Sequence, residues 1–227
     1  MKTTEPYYRR KIILALFLSG LSGFIDILGL FSIGGMFLSF MSGNSTRFAF
    51  YLADGHFKQA FPYLLIISGF VFGAFLGDQL KSHFPNYKLI SILSVETLLI
   101  LSSYIMLHFT FPGEWTHLPL TIAMGLQNAI QIEVGDKIVG RTFFSGVLHS
   151  LGASLSQLLQ KRTSWKSPAL DLLIWIVAVS GAFLAGILQP NIPTKTLLGG
   201  VSIILLLLIF FIIIFRSVEK KNFITLR

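Results

Sequence analysis

The sequence predicts an all-α polytopic membrane protein with six transmembrane helices and two short re-entrant or half-helices, arranged as two inverted three-helix repeats. Three observations carry this. First, of 227 residues 53% are hydrophobic and only 12% are charged, about half the charge of an average soluble domain. Second, several apolar runs approach the roughly 20 helical residues needed to cross about 30 Å of hydrocarbon. Third, motifs of the first half return in order in the second. The same composition excludes a water-soluble enzyme and a disordered chain.

The elements follow in order. Tyr8-Arg9-Arg10-Lys11 precedes an apolar stretch reaching about Leu30. It is longer than a signal-peptide core and has no A-x-A site, so it is expected as a first span over 12–33 with its basic end in the cytoplasm. Five further spans are expected at 60–80, 88–108, 117–135, 170–189 and 196–215. Segments 42–54 and 145–160 have a helical pattern but would extend only about 18 to 24 Å. They also carry Arg47, His149, Gln157 and several serines. Too short and too polar to cross cheaply, they are expected as half-helices buried among the others.

Phe40-Met41-Ser42-Gly43 returns as Phe143-Phe144-Ser145-Gly146 at an offset of 103, while Leu64-Leu65-Ile66 and Gly73-Ala74-Phe75-Leu76 return as Leu172-Leu173-Ile174 and Gly181-Ala182-Phe183-Leu184 at 108. Ordered matches with near-constant offset indicate an internal duplication, with repeat 1 over about 12–108 and repeat 2 over about 117–215. The whole of 1–227 then forms a single membrane domain, with 216–227 as a basic cytoplasmic tail. Crossing short segments would make the halves parallel, and re-entrant ones would make them inverted. With six crossings and a cytoplasmic N-terminus only Arg47, Lys58 and Lys195 of the 18 basic residues lie outside. With eight, Lys81, Lys88, Lys137, Arg141 and Lys195 lie outside and Arg47 is intramembrane. The positive-inside rule favours six.

Gly23-Phe24-Ile25-Asp26, the run Gly34-Gly35-Met36-Phe37-Leu38-Ser39-Phe40-Met41-Ser42-Gly43-Asn44, and Gly125-Leu126-Gln127-Asn128-Ala129 followed by Arg141-Thr142-Phe143-Phe144-Ser145-Gly146 resemble the YoaK family of small bacterial membrane proteins. The resemblance covers nearly the whole chain, with Ser42 where that family often has threonine and Ile27 where it often has alanine. It implies six helices and the bacterial inner membrane, and it implies no substrate.

Candidate chemistry therefore rests on single residues. Asp26, about 14 residues into the first span, is an acid at mid-membrane that must find donors or stay protonated. Asn128 holds the matching place in the second half, flanked by Gln127 and Gln131. The pair reads either as a substrate or proton site or as an interhelical hydrogen bond that locks the bundle. Ser42-Gly43-Asn44 and Ser145-Gly146 open the two short helices. Serine caps, and a helix N-terminus offers free N–H groups to an anion, so these turns read either as a shared binding point or as plain caps. Arg47 and His149 stand just inside them as anion ligands or partners of Asp26, although a neutral histidine bonded to a carbonyl suits His149 equally. Glu96 is the other acid at membrane depth, with Ile203 as its counterpart. A proton relay, an interhelical bond and a subunit contact suit it equally. Glu133 and Asp136, beside Lys137, are expected at a solvated helix end.

Gly69, Gly73 and Gly77 make a small-residue face for close packing, inside the chain or in a homodimer. No cysteine is present, no ATP-binding, zinc-protease or serine-hydrolase motif occurs, and no cofactor, resident metal or nucleic-acid partner is expected. The first expectation is a secondary transporter or channel-like carrier of a small polar or anionic solute, with or without proton coupling, and not an enzyme. It would use Asp26, Ser42, Gly43, Asn44, Arg47, Gln127, Asn128, Ser145, Gly146 and His149 for the solute and Asp26 with Glu96 for protons. The alternatives are a membrane-embedded enzyme or lipid-handling protein and a non-transporting structural or regulatory subunit. Both termini are expected in the cytoplasm, with membrane lipids around the bundle.

Overall fold

A computed structural model describes residues 5–32, 34–109, 111, 113–130, 132–134, 137–139 and 144–224. Within them lie eight helices and one short hairpin: α1 (Glu5–Ser32), α2 (Met41–Ala53), α3 (Phe57–His83), α4 (Lys88–His108), α5 (Gly113–Gln127), β1 (Ile132–Val134) antiparallel to β2 (Lys137–Val139), α6 (Phe144–Leu159), α7 (Lys166–Leu188) and α8 (Thr194–Ile224). Five of the helices, α1, α3, α4, α7 and α8, are long and apolar enough to cross a membrane. The short segments lie where expected, as α2 and α6. Arg141, Phe143, Gln131 and Asp136 fall outside the described residues, as do the side chains of 216–224.

The expected span 117–135 is the main departure. Its helix stops at Gln127, where Ala129 N–H bonds to Leu126 O and Ile130 N–H to Gln127 O in tight turns. The β-branched residues that follow, Ile132, Val134, Ile138 and Val139, pair as strands, the geometry that branched side chains favour. Glu133 consequently stands in β1 opposite Ile138 and not at a helix end.

α1 ends in a sharp reversal. Gly34 and Gly35 take φ of +59° and +86°, a region that L side chains rarely enter, and Gly35 N–H closes on Leu30 O. The chain then runs back along α1. Leu38 packs beside Gly29, Leu38 and Ser39 N–H reach Asp26, and the Ser22 hydroxyl donates to Ser39 Oγ at 3.2 Å. From Ser32 to the level of Ser22 is roughly 15 Å of helix rise. α2 therefore begins deep alongside α1 and returns over 13 residues to Gly55 and the start of α3.

The long helices pack in exchanged pairs: α1 lies on α7, and α5 lies on α3. Gly23 abuts the backbone of Ala178 and Ala182, and Gly125 that of Phe70 and Ala74; Gly181 abuts Gly20, and Gly73 abuts Ile122. Every one of these contacts maps onto its partner by adding 102 in α1 and 108 in α3. The face of Gly69, Gly73 and Gly77 is thus filled within the chain, against Leu118, Ile122 and Leu126 of α5 and Ala129 in the turn after it. These contacts advance together along both helices, so α3 and α5 run parallel. On the other side, Tyr104 near the end of α4 covers Gly199 near the start of α8, so these two helices run antiparallel.

The buried residues of α4 and α8 also correspond, at an offset of 105: Ile92 with Leu197, Leu93 with Leu198, Glu96 with Val201, Thr97 with Ser202, and Ile100 with Leu205. This corrects the counterpart of Glu96. Ile203 is 60% exposed and points away from α4, whereas Val201 is buried in the matching stripe.

Candidate functional site

The reversal after α1 places the candidate residues of the first half together. Asp26, buried on α1 less than two turns before its end at Ser32, accepts Leu38 N–H at 2.8 Å and Ser39 N–H at 2.6 Å on one oxygen and the Ser39 hydroxyl on the other. Ser22, one turn below, adds its hydroxyl to Ser39. A carboxylate that accepts several N–H bonds makes strong charge-assisted contacts, and here they fasten the returning strand to α1. The carboxylate also stands beside the start of α2, whose positive end favours a negative charge.

Asn44, fully buried in the first turn of α2, holds the same strand from the other side. Its Oδ1 accepts Phe37 N–H at 3.1 Å, and its Nδ2 donates to Phe37 O at 2.6 Å. Gly43 packs beneath the Phe40 ring, which stands edge-on to Phe37 at 5.3 Å. Arg47, exposed on the next turn, donates to Gly35 O and not to Asp26. The expected serine cap is corrected: the N-cap of α2 is Phe40, with no side-chain cap. Ser42 lies inside the helix on an exposed face, so the N–H groups ahead of α2 are met by Asp26.

In the second half, Gln127 is fully buried and donates to Leu18 O of α1 at 2.9 Å, while its Oε1 has no hydrogen-bond partner. Asn128 stands in the turn after α5 and donates to Met124 O, so its place is a helix end and not a mid-span position beside Asp26. Ser145 and His149 are exposed on α6, with Gly146 half-buried between them. The expected meeting of the two short helices is not a packing interface: α2 lies on α3, and α6 lies on α7. Both helices leave a polar face uncovered, with Ser42, Ser45, Thr46 and Arg47 on α2 and Ser145, His149, Ser156 and Gln157 on α6.

Two polar features went unnoticed in the sequence. Asp171 of α7, buried, accepts the hydroxyls of Ser150 at 3.1 Å and Ser154 at 2.7 Å and so ties α6 down. The equivalent place in the first half is a stack of Tyr51 on Tyr63 at 5.6 Å, shifted by the same 103 and 108. An acid just inside an apolar span was the available signal. His117 is also buried, with Nδ1 at 2.8 Å from Thr116 Oγ1, and lies at the first residue of the span expected at 117–135. Glu96 differs from all of these, for it is fully buried and neither carboxyl oxygen has a hydrogen-bond partner.

Comparison with known proteins adds a family. The profile described as Protein of unknown function (DUF1275) matches residues 14–211. The UPF0700 transmembrane protein YoaK of Bacillus subtilis is 24% identical over 200 residues, 83% of this chain and 87% of the relative. The UPF0700 transmembrane protein RA0705 of Rhizobium meliloti is 31% identical over 173 residues, 75% of this chain and 72% of the relative. No solved structure matches.

Proposed function

The chain belongs to the DUF1275 family of transmembrane proteins, and from that premise we propose that it is a secondary transporter or channel-like carrier of a small polar or anionic solute, acting in the bacterial inner membrane and not as an enzyme. The observation that carries the reading is the backward run of residues 34–40 along α1, which starts α2 at membrane depth. Broken helices of this kind put backbone ends where a polar solute crosses. A helix begun at that depth with an uncovered polar face is costly against lipid and suits a watery path.

Two inverted three-helix repeats are part of the proposal. The constant offsets of 102, 103, 108 and 105 support a duplication. In a parallel duplication α4 and α8 would also run parallel. The contact of Tyr104 with Gly199 supports the inverted form. In it α5 serves as the sixth crossing, continued by the turn and hairpin, and both termini lie in the cytoplasm. The solute would pass the uncovered faces of α2 and α6, while the bonds of Asp26 hold one of them in place. A homodimer would need a face other than Gly69, Gly73 and Gly77.

A thermal-stability screen of the purified chain against small anions, cations and metabolites at about pH 5.5 and 7.5 tests the reading, because a ligand of the native state raises its stability. Ser42→Leu and Ser145→Leu alter exposed positions without touching the core. A stabilising solute whose effect either variant abolishes supports the site; stabilisation retained in both, or none across the panel, refutes it. A scaffold protein is the second reading, favoured by the bonds of Asp26 that fasten the returning strand to α1, and an empty screen would leave it standing.

A further inference from the structure

Among the described residues three acids are buried within spans, Asp26, Glu96 and Asp171; Asp171 is held by two serine hydroxyls, and the chain treats the other two in opposite ways. Asp26 is met by two N–H groups and a hydroxyl. Glu96, fully buried, has no hydrogen-bond partner among the described residues. Glu96 is the ninth residue of a 21-residue helix and so lies within a turn of its middle. It belongs to the inward stripe of Leu93, Thr97, Ile100 and Ser103. Thr97 turns its hydroxyl back to Leu93 O, and Ser103 Oγ, two turns on, also has no partner.

Among the described side chains, the helices packed on α4 place their Lys residues only near helix ends, away from Glu96. On α5 the buried titratable side chain is His117, turned to Thr116. On α8, among described side chains, the only one is Lys195, exposed in the first turn. On α3, Tyr63 stacks on Tyr51, while Lys58, Asp78, Lys81 and His83 stand near its ends. On α4 itself, Lys88 and His108 are terminal, and Tyr104 lies against Gly199. An ionised carboxylate with no donor in such surroundings costs several kcal/mol. A neutral acid lacking its hydrogen bond costs about 1–3 kcal/mol.

We propose that Glu96 is a proton-binding site in the middle of the bundle, neutral in the packing described and able to release its proton only when α4 shifts to bring that stripe to water or to a donor. As the coupling group of a carrier it rests on the transporter reading; as a proton site it does not. The division of labour is then clear: Asp26 holds the re-entrant strand, and Glu96 carries the proton.

Infrared titration of the purified full-length chain between about pH 5 and 10 reads the site directly, since a carboxylic acid and a carboxylate absorb at separate frequencies. The expected result is an acid band that persists at neutral pH, fades on alkalinisation, survives in Asp26→Asn and is missing from Glu96→Gln. Should Glu96→Gln fold poorly, Glu96→Met removes the titrating group while keeping an apolar side chain of similar length, and it should lose the same band. A band unchanged in both Glu96 variants, or one that never titrates while the chain stays folded, overturns the proposal. Acid-pulse experiments on liposomes carrying the protein separate the two readings. A titrating Glu96 without proton movement or ligand binding leaves the site standing and removes the transporter.

Discussion

Adding one methyl at Gly73 tests the exchanged pairing of the long helices. A Cβ built there would lie 2.8 Å from the Ile122 carbonyl carbon and 3.0 Å from its Cα, and closer still to its oxygen. Ordinary carbon contacts fall at about 3.5–4.0 Å, so α3 and α5 would have to part by roughly 1 Å. The obstacle is backbone and cannot swing aside. A gap of that size forfeits about a quarter to a half of each contact well along the interface, and overpacking costs about 1–3 kcal/mol. Alanine gains about 1 kcal/mol over glycine in helix propensity. With the strain at the upper end, Gly73→Ala should destabilise by about 2 kcal/mol. The equivalent Gly181→Ala, which would meet Gly20, should do the same. Gly152 and Gly186 have nothing within 4 Å of a built Cβ, so Gly152→Ala and Gly186→Ala should be neutral or stabilising by up to about 1 kcal/mol. Reversible unfolding in mixed micelles measures all four. If Gly73→Ala proved as harmless as Gly186→Ala, the close α3/α5 contact would be wrong.

Further variants address the buried polar groups and the topology. Asp26→Asn keeps the shape but removes the charge and turns a donor toward N–H groups. With charge-assisted bonds at about 1.5–3 kcal/mol each, a loss of about 2–4 kcal/mol is expected in the same assay, and a loss under 1 kcal/mol would refute the anchoring role. Asp171→Ala should speed hydrogen exchange in α6 and leave α2 unchanged, because the two serines bonded to that acid stand on α6. Equal change in both helices would contradict this. In a chain without native cysteine, Glu114→Cys should react with an impermeant thiol reagent from outside and Lys81→Cys should not; external labelling of position 81 would sink the inverted arrangement.

Much of the fold was legible because hydropathy acts over whole segments. The apolar runs located five long helices, and the short polar segments located α2 and α6. The stretch 117–135 misled because an apolar run does not distinguish helix from strand, and the branched residues after Ile130 decided for strand. Asp26 stood out as an acid in a span, but two of its three partners are main-chain N–H groups, of Leu38 and Ser39, which leave no mark in a sequence. The counterpart of Glu96 slipped by two places because α3, with 27 residues, is longer than α7, with 23, which changes the offset from 108 to 105 between α3 and α4. That Glu96 has no partner is a property of its neighbours, which no single residue reveals.

The exchange of partners has a consequence for how the chain is made. α1 leaves the ribosome early, yet the surface that covers Gly20 and Gly23 belongs to α7, whose first residue is Lys166. At about 5–20 residues per second, the 133 residues between Ser32 and Lys166 take roughly 7–27 s to synthesise. Throughout that interval the notched face of α1 rests against lipid or an insertion factor. Maturation is therefore a late event, completed only when the fourth quarter of the polypeptide arrives, and a chain stalled before Lys166 should be a substrate for membrane quality control.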